Sequence, residues 1–294
     1  MSDGPISIEI GGVTISSGWG PVGHFLQEGG LIDWYSVPPS KASPESRPQG
    51  HGSFDPGPDW SDSATPSIKA RYDASSRADL QAAKRDLASL RRVGFSPVTG
   101  WRKRVTVTDE DGPTSRDVSI RFVDIADDRG RLSFEYAIDM LAPDPLRYGP
   151  AVVDSTGLPV AGSGLVWPLG TGGTWLNWGT VGDLGRVDTP NDGTAETYTV
   201  LEVTGGMSLG FLLTYVPTGQ LISFDREVPP GSTITLDPRR GLAVIDGQSD
   251  VTGFLTISDW WPVAAGDVGS IQFASKGVVT GTPTLTARTA PAFI

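Results

Sequence analysis

Apolar and polar residues alternate along short segments in the first half of the chain, as they do in half-buried β-strands. Leu132, Phe134, Tyr136, Ile138 and Met140 are separated by residues that are mostly polar or small. An extended segment with this pattern has one apolar face. Other short apolar runs bounded by Gly, Asp and Pro have the same character. The strands predicted in this half are residues 6–10, 13–15, 31–37, 101–108, 117–124 and 132–141.

A different periodicity predicts one α-helix over residues 76–93. Its apolar residues recur at spacings of three and four, so they form a single stripe that must pack on something. Ser76 followed by Asp79 is a capping box at the helix start. Arg91, Arg92 and Gly94 suit the helix end. The stripe consists of Leu80, Ala83, Leu87 and Leu90.

Residues 38–66 show neither the strand alternation nor the helical periodicity, and their composition is different. They contain seven prolines among Ser, Gly and Asp. So long a segment without regular structure is uncommon inside a compact domain. Two interpretations stay open: a functional segment that becomes ordered on assembly, and a plain flexible loop.

The second half of the chain predicts strands without a helix. Residues 142–150 contain Pro143 and Pro145, which stop a β-ladder and stiffen the connection. Short strands separated by turn residues beyond this point indicate an antiparallel sandwich. They are residues 166–169, 173–179, 196–204, 208–216, 220–228, 233–237, 241–246, 254–257, 269–273 and 284–288.

The chain of 294 residues therefore predicts two domains of a mainly β protein. Residues 1–150 form a β-sandwich or split barrel with one packed helix. Residues 151–294 form an antiparallel β-sandwich.

Composition and charge argue against several kinds of site and function. The chain has no cysteine, which excludes disulfides and thiolate metal sites. Its net charge of −11 argues against a protein that grips nucleic acid phosphates. The N-terminus lacks the pattern of a signal peptide, and the longest apolar run, residues 209–216, is too short to cross a bilayer. We expect a protein that is neither exported nor inserted into a membrane.

Motifs for catalysis or metal binding are weak throughout. Residues 206–210 match G-x-S-x-G, but a strand is predicted after Ser208, and both histidines, His24 and His51, precede it. Residues 188–193 (DTPNDG) depart from a calcium loop at Pro190 and are interpreted as a turn. We therefore predict no catalytic, cofactor-binding or metal-binding residues. Of the adjacent Trp260 and Trp261, one is expected in the core and the other at the surface.

A series of turns and aromatic residues resembles a known family over nearly the whole chain. The second half contains, in order, residues 176–180 (LNWGT), residues 196–203 (ETYTVLEV), Leu236-Asp237 and residues 258–262 (SDWWP). The first half contributes residues 50–55 (GHGSFD), the helix, and residues 134–148. This order is similar to that of the distal tail proteins of long-tailed bacteriophages, known as Dit proteins.

The resemblance implies an architecture and a role. Residues 1–150 would be a ring-forming domain shaped like a tail-tube subunit, and residues 151–294 a galectin-like sandwich that projects outward. The ring would be a homo-hexamer that joins the tail tube protein to the tail-tip hub protein, in contact with receptor-binding proteins. DNA would traverse its channel without specific binding, and an acidic balance fits such a channel. The family implies a non-enzymatic virion protein without cofactors, located at the tail tip and assembled in the host bacterial cytoplasm.

Other functions remain open. The first alternative is a carbohydrate-binding tail or surface protein that recognises host glycans through the C-terminal sandwich. A second is a glycoside hydrolase, because 34 acidic residues offer many carboxylate pairs. A third is the tail-tube subunit itself, although that role would not require a second domain.

Overall fold

Apolar residues build two separate cores, one in each half of the chain. The computed structural model describes residues 5–43, 45–54, 60–92, 94, 100–127, 130–164 and 180–294. One unit comprises Met1–Gly149 with Phe293–Ile294, and the other comprises Pro150–Ala292. The strands predicted at residues 166–169 and 173–179, and residues 176–179 of the family resemblance, lie outside the described residues, as do Pro44, Pro56, Pro58 and Val93.

Strands dominate both units. The elements of the first unit are β1 (Ser7–Ile10), β2 (Val13–Ser16), β3 (Gly23–Ile32), β4 (Ser67–Asp73), α1 (Arg77–Ser89), β5 (Lys103–Asp109), β6 (Gly112–Asp127), β7 (Ser133–Leu141) and β8 (Arg147–Tyr148). Those of the second unit are β9 (Val152–Gly157), β10 (Arg186–Asn191), β11 (Val200–Thr204), β12 (Phe211–Tyr215), β13 (Gln220–Phe224), β14 (Thr233–Asp237), β15 (Leu242–Ile245), β16 (Ser249–Asp250), a 3₁₀ turn (Thr252–Phe254), β17 (Leu255–Ser258), β18 (Asp267–Ser275) and β19 (Thr284–Thr289). The last strand is β20 (Ala292–Phe293).

Seven strands of the first unit close into a barrel. Their order is β6-β5-β1-β2-β3-β4-β7, and β7 pairs again with β6. The 16-residue β6 makes this possible: Gly112 to Val118 pair with β5, and Ser119 to Asp127 pair with β7. A register shift between Ile120 and Phe122 bends the strand where it changes partner. The predicted mainly β fold with one helix is confirmed, in the form of a barrel.

Helix α1 packs on this barrel through its predicted stripe. Leu80, Ala83, Leu87 and Leu90 are all buried in the core of the first unit. The Ser76 hydroxyl accepts a hydrogen bond from the Asp79 backbone N–H at 3.2 Å. The Asp79 carboxylate accepts from the N–H of Ser75, one residue before the cap, at 2.9 Å. The helix ends at Ser89, so Arg91 and Arg92 follow its last turn.

The strand predicted over residues 31–37 is wrong. The strand there is β3, and it ends at Ile32. Asp33 has a φ of 56°, in the left-handed region, so the chain turns away from the sheet at this residue. Strand β4 was not predicted from the sequence.

The second unit is an antiparallel sandwich, as predicted. One sheet has the order β10-β18-β12-β13-β17, and the other has the order β16-β15-β14-β11-β19-β9. Their apolar faces enclose one core that includes Trp261, which stacks on Tyr215 with ring centroids 5.3 Å apart. Trp260 is partly buried and packs against the same core.

The turn predicted at residues 188–193 is wrong over its first four positions. Asp188 to Asn191 belong to β10, an edge strand paired with β18. The Asn191 side chain is buried, and its Nδ2 donates to the carbonyls of Ala195, Val263 and Ala264 at 2.8 to 3.1 Å. This segment is therefore structural.

His24, on β3, lies in an aromatic cluster beneath α1. Its Nδ1 is hydrogen-bonded to the Tyr136 hydroxyl at 2.9 Å, and its ring centroid is 4.5 Å from that of Tyr72. Burial lowers the pKa of His24 to about 4, although the carboxylates of Asp86 and Asp79 oppose the shift. The folded state therefore holds this imidazole neutral.

This shift predicts an acid-sensitive fold. In the unfolded chain the imidazole takes up a proton near pH 6.5, but in the folded chain only near pH 4. Between these values the unfolded state binds more protons, so the free energy of unfolding falls as the pH is lowered through this window and is unaffected above it. Relative to His24→Gln, the wild-type chain should lose about 1–2 kcal/mol between pH 7.5 and pH 5, measured by urea denaturation. His51→Gln, at an exposed histidine, should keep the wild-type dependence. Equal pH dependence of the wild type and His24→Gln would contradict the account.

The separate core of the second unit predicts that it folds alone. A fragment of residues 151–294 should be monomeric and rich in β-structure, and it should unfold cooperatively in circular dichroism and thermal denaturation. An aggregated or molten fragment would mean that the two units depend on each other for folding.

Candidate assembly surfaces

Metal ligands do not cluster in the part of the chain that the structure describes. These residues contain no group of three or more His, Asp or Glu side chains that could hold a metal ion. Within the same residues, no helix combines the length and apolar character needed to span a bilayer. The candidate sites described below are surfaces with exposed aromatic or charged side chains.

The serine of the G-x-S-x-G match has a structural role. The Ser208 hydroxyl accepts a hydrogen bond from the Val278 backbone N–H at 2.8 Å. Strand β12 follows it, as predicted, so the strand-to-helix turn that a hydrolase needs is absent at this position.

The described residues between 39 and 62 are 39–43, 45–54 and 60–62, and we call them the arm. Asp62 N–H donates to Pro39 O at 2.8 Å, and Lys41 N–H donates to Trp60 O at 2.7 Å. Phe54 N–H donates to Glu45 O at 2.9 Å. The described part of the Pro-rich segment therefore has isolated antiparallel bridges rather than a continuous strand ladder.

Both ends of the arm are fixed to the barrel. Before the arm, the buried Trp34 lies under the Arg116 guanidinium, 5.2 Å from ring centroid to Cζ. Arg116 also donates to the carbonyls of Pro145 at 2.8 Å and Asp33 at 3.4 Å, and its burial lowers its pKa to about 10. After the arm, Ala64 exchanges two backbone hydrogen bonds with Ala142.

The arm has no core of its own. Every described residue of the arm is exposed except Ala42 and Ser61, which are half-buried. Trp60 is 69% exposed and Phe54 is 54% exposed, with Arg47 stacked on the Phe54 ring. Because the arm buries almost none of its own surface and exposes two aromatic rings, it is suited to packing against a partner.

Other exposed aromatic residues also belong to the first unit. Trp19 lies between β2 and β3, stacks on Phe25 and is 90% exposed. Trp101 precedes β5 and is 68% exposed. The described tryptophans of the second unit are buried or half-buried. Since aromatic residues are enriched in protein interfaces, these exposed side chains are candidates for contacts with other proteins.

Strands β5, β6 and β7 correspond to the strands predicted over residues 101–108, 117–124 and 132–141. In a ring of the kind that the family resemblance implies, we expect them to form a channel-side sheet whose edge a neighbouring subunit completes. Strands β5 and β7 are paired on both sides within the chain, so they offer no free edge to a neighbour. Strand β6 pairs with β5 along its first half and with β7 along its second, and the second half has no further partner strand among the described residues.

The outward face of the same strands carries both charge signs. Asp124, Glu135 and Asp139 are exposed on β6 and β7. Arg104 on β5 forms an ion pair with Asp117 on β6, with 2.9 Å between Nε and Oδ1.

Sequence reasoning missed the exposed aromatic residues. Trp19 lies between Gly18 and Gly20, and Trp101 follows Gly100, so each tryptophan stands in a turn-forming context. A tryptophan placed where the chain turns has less access to a core than one within a strand. The neighbouring glycines are therefore the feature of the sequence that indicates exposed tryptophans.

The described fold is similar to solved phage tail structures over the full length of the chain. The Dit protein (gp 19.1) of phage SPP1 superposes with a TM-score of 0.61 and 13% identity, covering 97% of this chain and 98% of that one. It is described as a paradigm of the hub adsorption apparatus of phages that infect Gram-positive bacteria. A chain of the phage P2 baseplate, in its activated conformation with Ca, superposes with a TM-score of 0.52 and 11% identity, covering 98% and 99%. No protein-family model and no curated protein matches the sequence.

These likenesses establish a fold class. The chain is a mainly β protein with a Dit-like fold, in which one barrel-based unit is followed by one sandwich. The resemblance to distal tail proteins that the sequence indicated is confirmed at the level of the fold.

Proposed function

We propose that this chain is a distal tail protein, a non-enzymatic structural component of a phage tail tip. The observation that carries the proposal is the Dit-like fold, which extends over 97% of the chain and includes both units. A likeness confined to one unit would fit many β proteins. The order of turns and aromatic residues in the sequence supports the same assignment independently.

In this role six copies form a ring between the tail tube protein and the tail-tip hub protein. The first unit forms the ring, and the second faces outward, where receptor-binding proteins attach. The protein is made in the host cytoplasm and becomes part of the virion. DNA passes through the ring without specific binding, and the net charge of −11 supports this because like charges repel the phosphates.

The arm supplies one of the two contact patches that a ring requires. A closed ring of identical subunits joins head to tail, so each subunit must present two different surfaces. Strands β5 and β7 are paired on both sides within the chain, whereas the arm is anchored at both ends and exposes Trp60 and Phe54. Covering these side chains with a neighbouring copy would contribute on the order of 2 kcal/mol each.

Trp60→Ser tests this assignment. The variant should fold like the wild type, because the side chain is largely exposed, but its incorporation into rings should fall roughly tenfold or more. Ring formation is measured by native mass spectrometry of the full chain, and by incorporation into tails in cells that produce the other tail proteins. The second assay covers the case in which the ring forms only on a tail template.

Leu209→Ser is the matched control for Trp60→Ser. Leu209 is 62% exposed, similar to Trp60, but it belongs to the second unit. Its substitution should leave assembly unchanged. Normal assembly of Trp60→Ser, or equal loss in both variants, would exclude the arm as a ring contact.

A further inference from the structure

A polar cluster interrupts the outer face of the five-stranded sheet in the second unit. On β13, Ile222 and Phe224 point into the core, so Ser223 between them faces outward. Ser223 is nevertheless only 2% exposed. Its hydroxyl contacts the side chains of Asp225, Thr256 and Lys276.

These side chains hold one another in fixed positions. Thr256 Oγ1 donates to Asp225 Oδ2 at 2.6 Å, and Ser223 Oγ donates to Asp225 Oδ1 at 3.1 Å. Lys276 Nζ forms an ion pair with Asp225. Lys276 and then Thr256 keep the pKa of Asp225 below its ordinary value, so the carboxylate stays charged near neutral pH.

The cluster forms one wall of a depression of about 510 Å³. Asp225, Arg226, Glu227 and Lys276 line it together with Leu209. The Arg226 guanidinium stacks on the exposed ring of Phe254, with Cζ 4.5 Å from the centroid. Two cationic and two anionic side chains therefore lie beside apolar surface.

This combination favours a neutral ligand with both hydroxyl groups and apolar faces. A hydroxyl both donates and accepts, so it can bond to an ammonium or guanidinium group and to a carboxylate at once. The two cationic side chains are balanced by Asp225 and Glu227, so the lining has no net positive charge that would select an anion such as phosphate. The ion pair between Asp225 and Lys276 is exposed and therefore contributes little to the stability of the fold. Because the network already orders these side chains, less conformational entropy is lost when a ligand binds to them.

We propose that this depression is a binding site for a neutral saccharide. The hydroxyl groups bond to Asp225, Glu227, Arg226 and Lys276, and the C–H face of the sugar packs against Leu209. The proposal depends on the second unit alone, so it stands or falls independently of the ring.

Saturation-transfer NMR titrations of the full chain test the site. The probes are maltotriose, chitotriose and lactose, with inorganic phosphate as the anionic comparison. At least one oligosaccharide should bind in the millimolar range, and phosphate should neither bind nor compete. Asp225→Asn and Lys276→Met should each weaken the binding at least tenfold. Arg226→Gln, at an exposed position, should do the same and tests the site if either of the others fails to fold.

Glu202→Gln provides the matched control. Glu202 forms an ion pair with Arg288, with 3.2 Å between the charged groups, on the other sheet of the same unit. Its loss should leave binding unchanged while thermal unfolding reports the fold of every variant. The proposal is overturned if no oligosaccharide binds, if phosphate binds in their place, or if Glu202→Gln weakens binding as much as Asp225→Asn.

Discussion

Strand β6 pairs with β5 along its first half and with β7 along its second, and it bends at the register shift between Ile120 and Phe122. The rest of the first unit depends on this bend, because it joins the two ends of the sheet and removes their free edges. A straight β6 would leave β7 with one partner fewer. The closed barrel in turn provides the core on which α1 packs through Leu80, Ala83 and Leu87.

Closure of the barrel limits which strands can pair with another copy. Strands β5 and β7 are paired on both sides within the chain, so backbone pairing between copies is not available to them. The arm, by contrast, buries almost none of its own surface. Arg116 holds the start of this arm through Trp34, and it does so as a buried guanidinium bonded to backbone carbonyls. A buried guanidinium is costly unless its N–H groups are bonded; both terminal nitrogens of Arg116 donate to carbonyls, whereas its Nε has no hydrogen-bond partner among the described residues.

Much of this fold could be predicted from local patterns. The capping residue Ser76 and the stripe ending at Leu90 defined α1, and strict alternation identified β7. Local sequence patterns failed to predict elements whose formation depends on tertiary structure. Strand β10 contains Asp188, Pro190 and Asn191, which favour turns; it is tolerated as a strand because it lies at the edge of its sheet.

Strand β3 shows a second kind of failure. Its pairing with β4 shifts register between Leu26 and Leu31, and Gly29 has a positive φ, so no continuous alternation marks the strand. The arm illustrates a third, because composition alone does not show which residues of a proline-rich segment form backbone bridges. The family resemblance, by contrast, rested on the order of many weak features, and the fold agrees with it across both units.

The position of this chain in an assembled tail tests the central claim most directly. Electron cryo-microscopy of tails that contain it should show one ring of six copies between the tube and the tip. The first unit should surround the channel, and each arm should lie on the neighbouring copy. A chain found along the tube, at the periphery of the tip, or in a ring without contact between the arm and its neighbour would contradict the account.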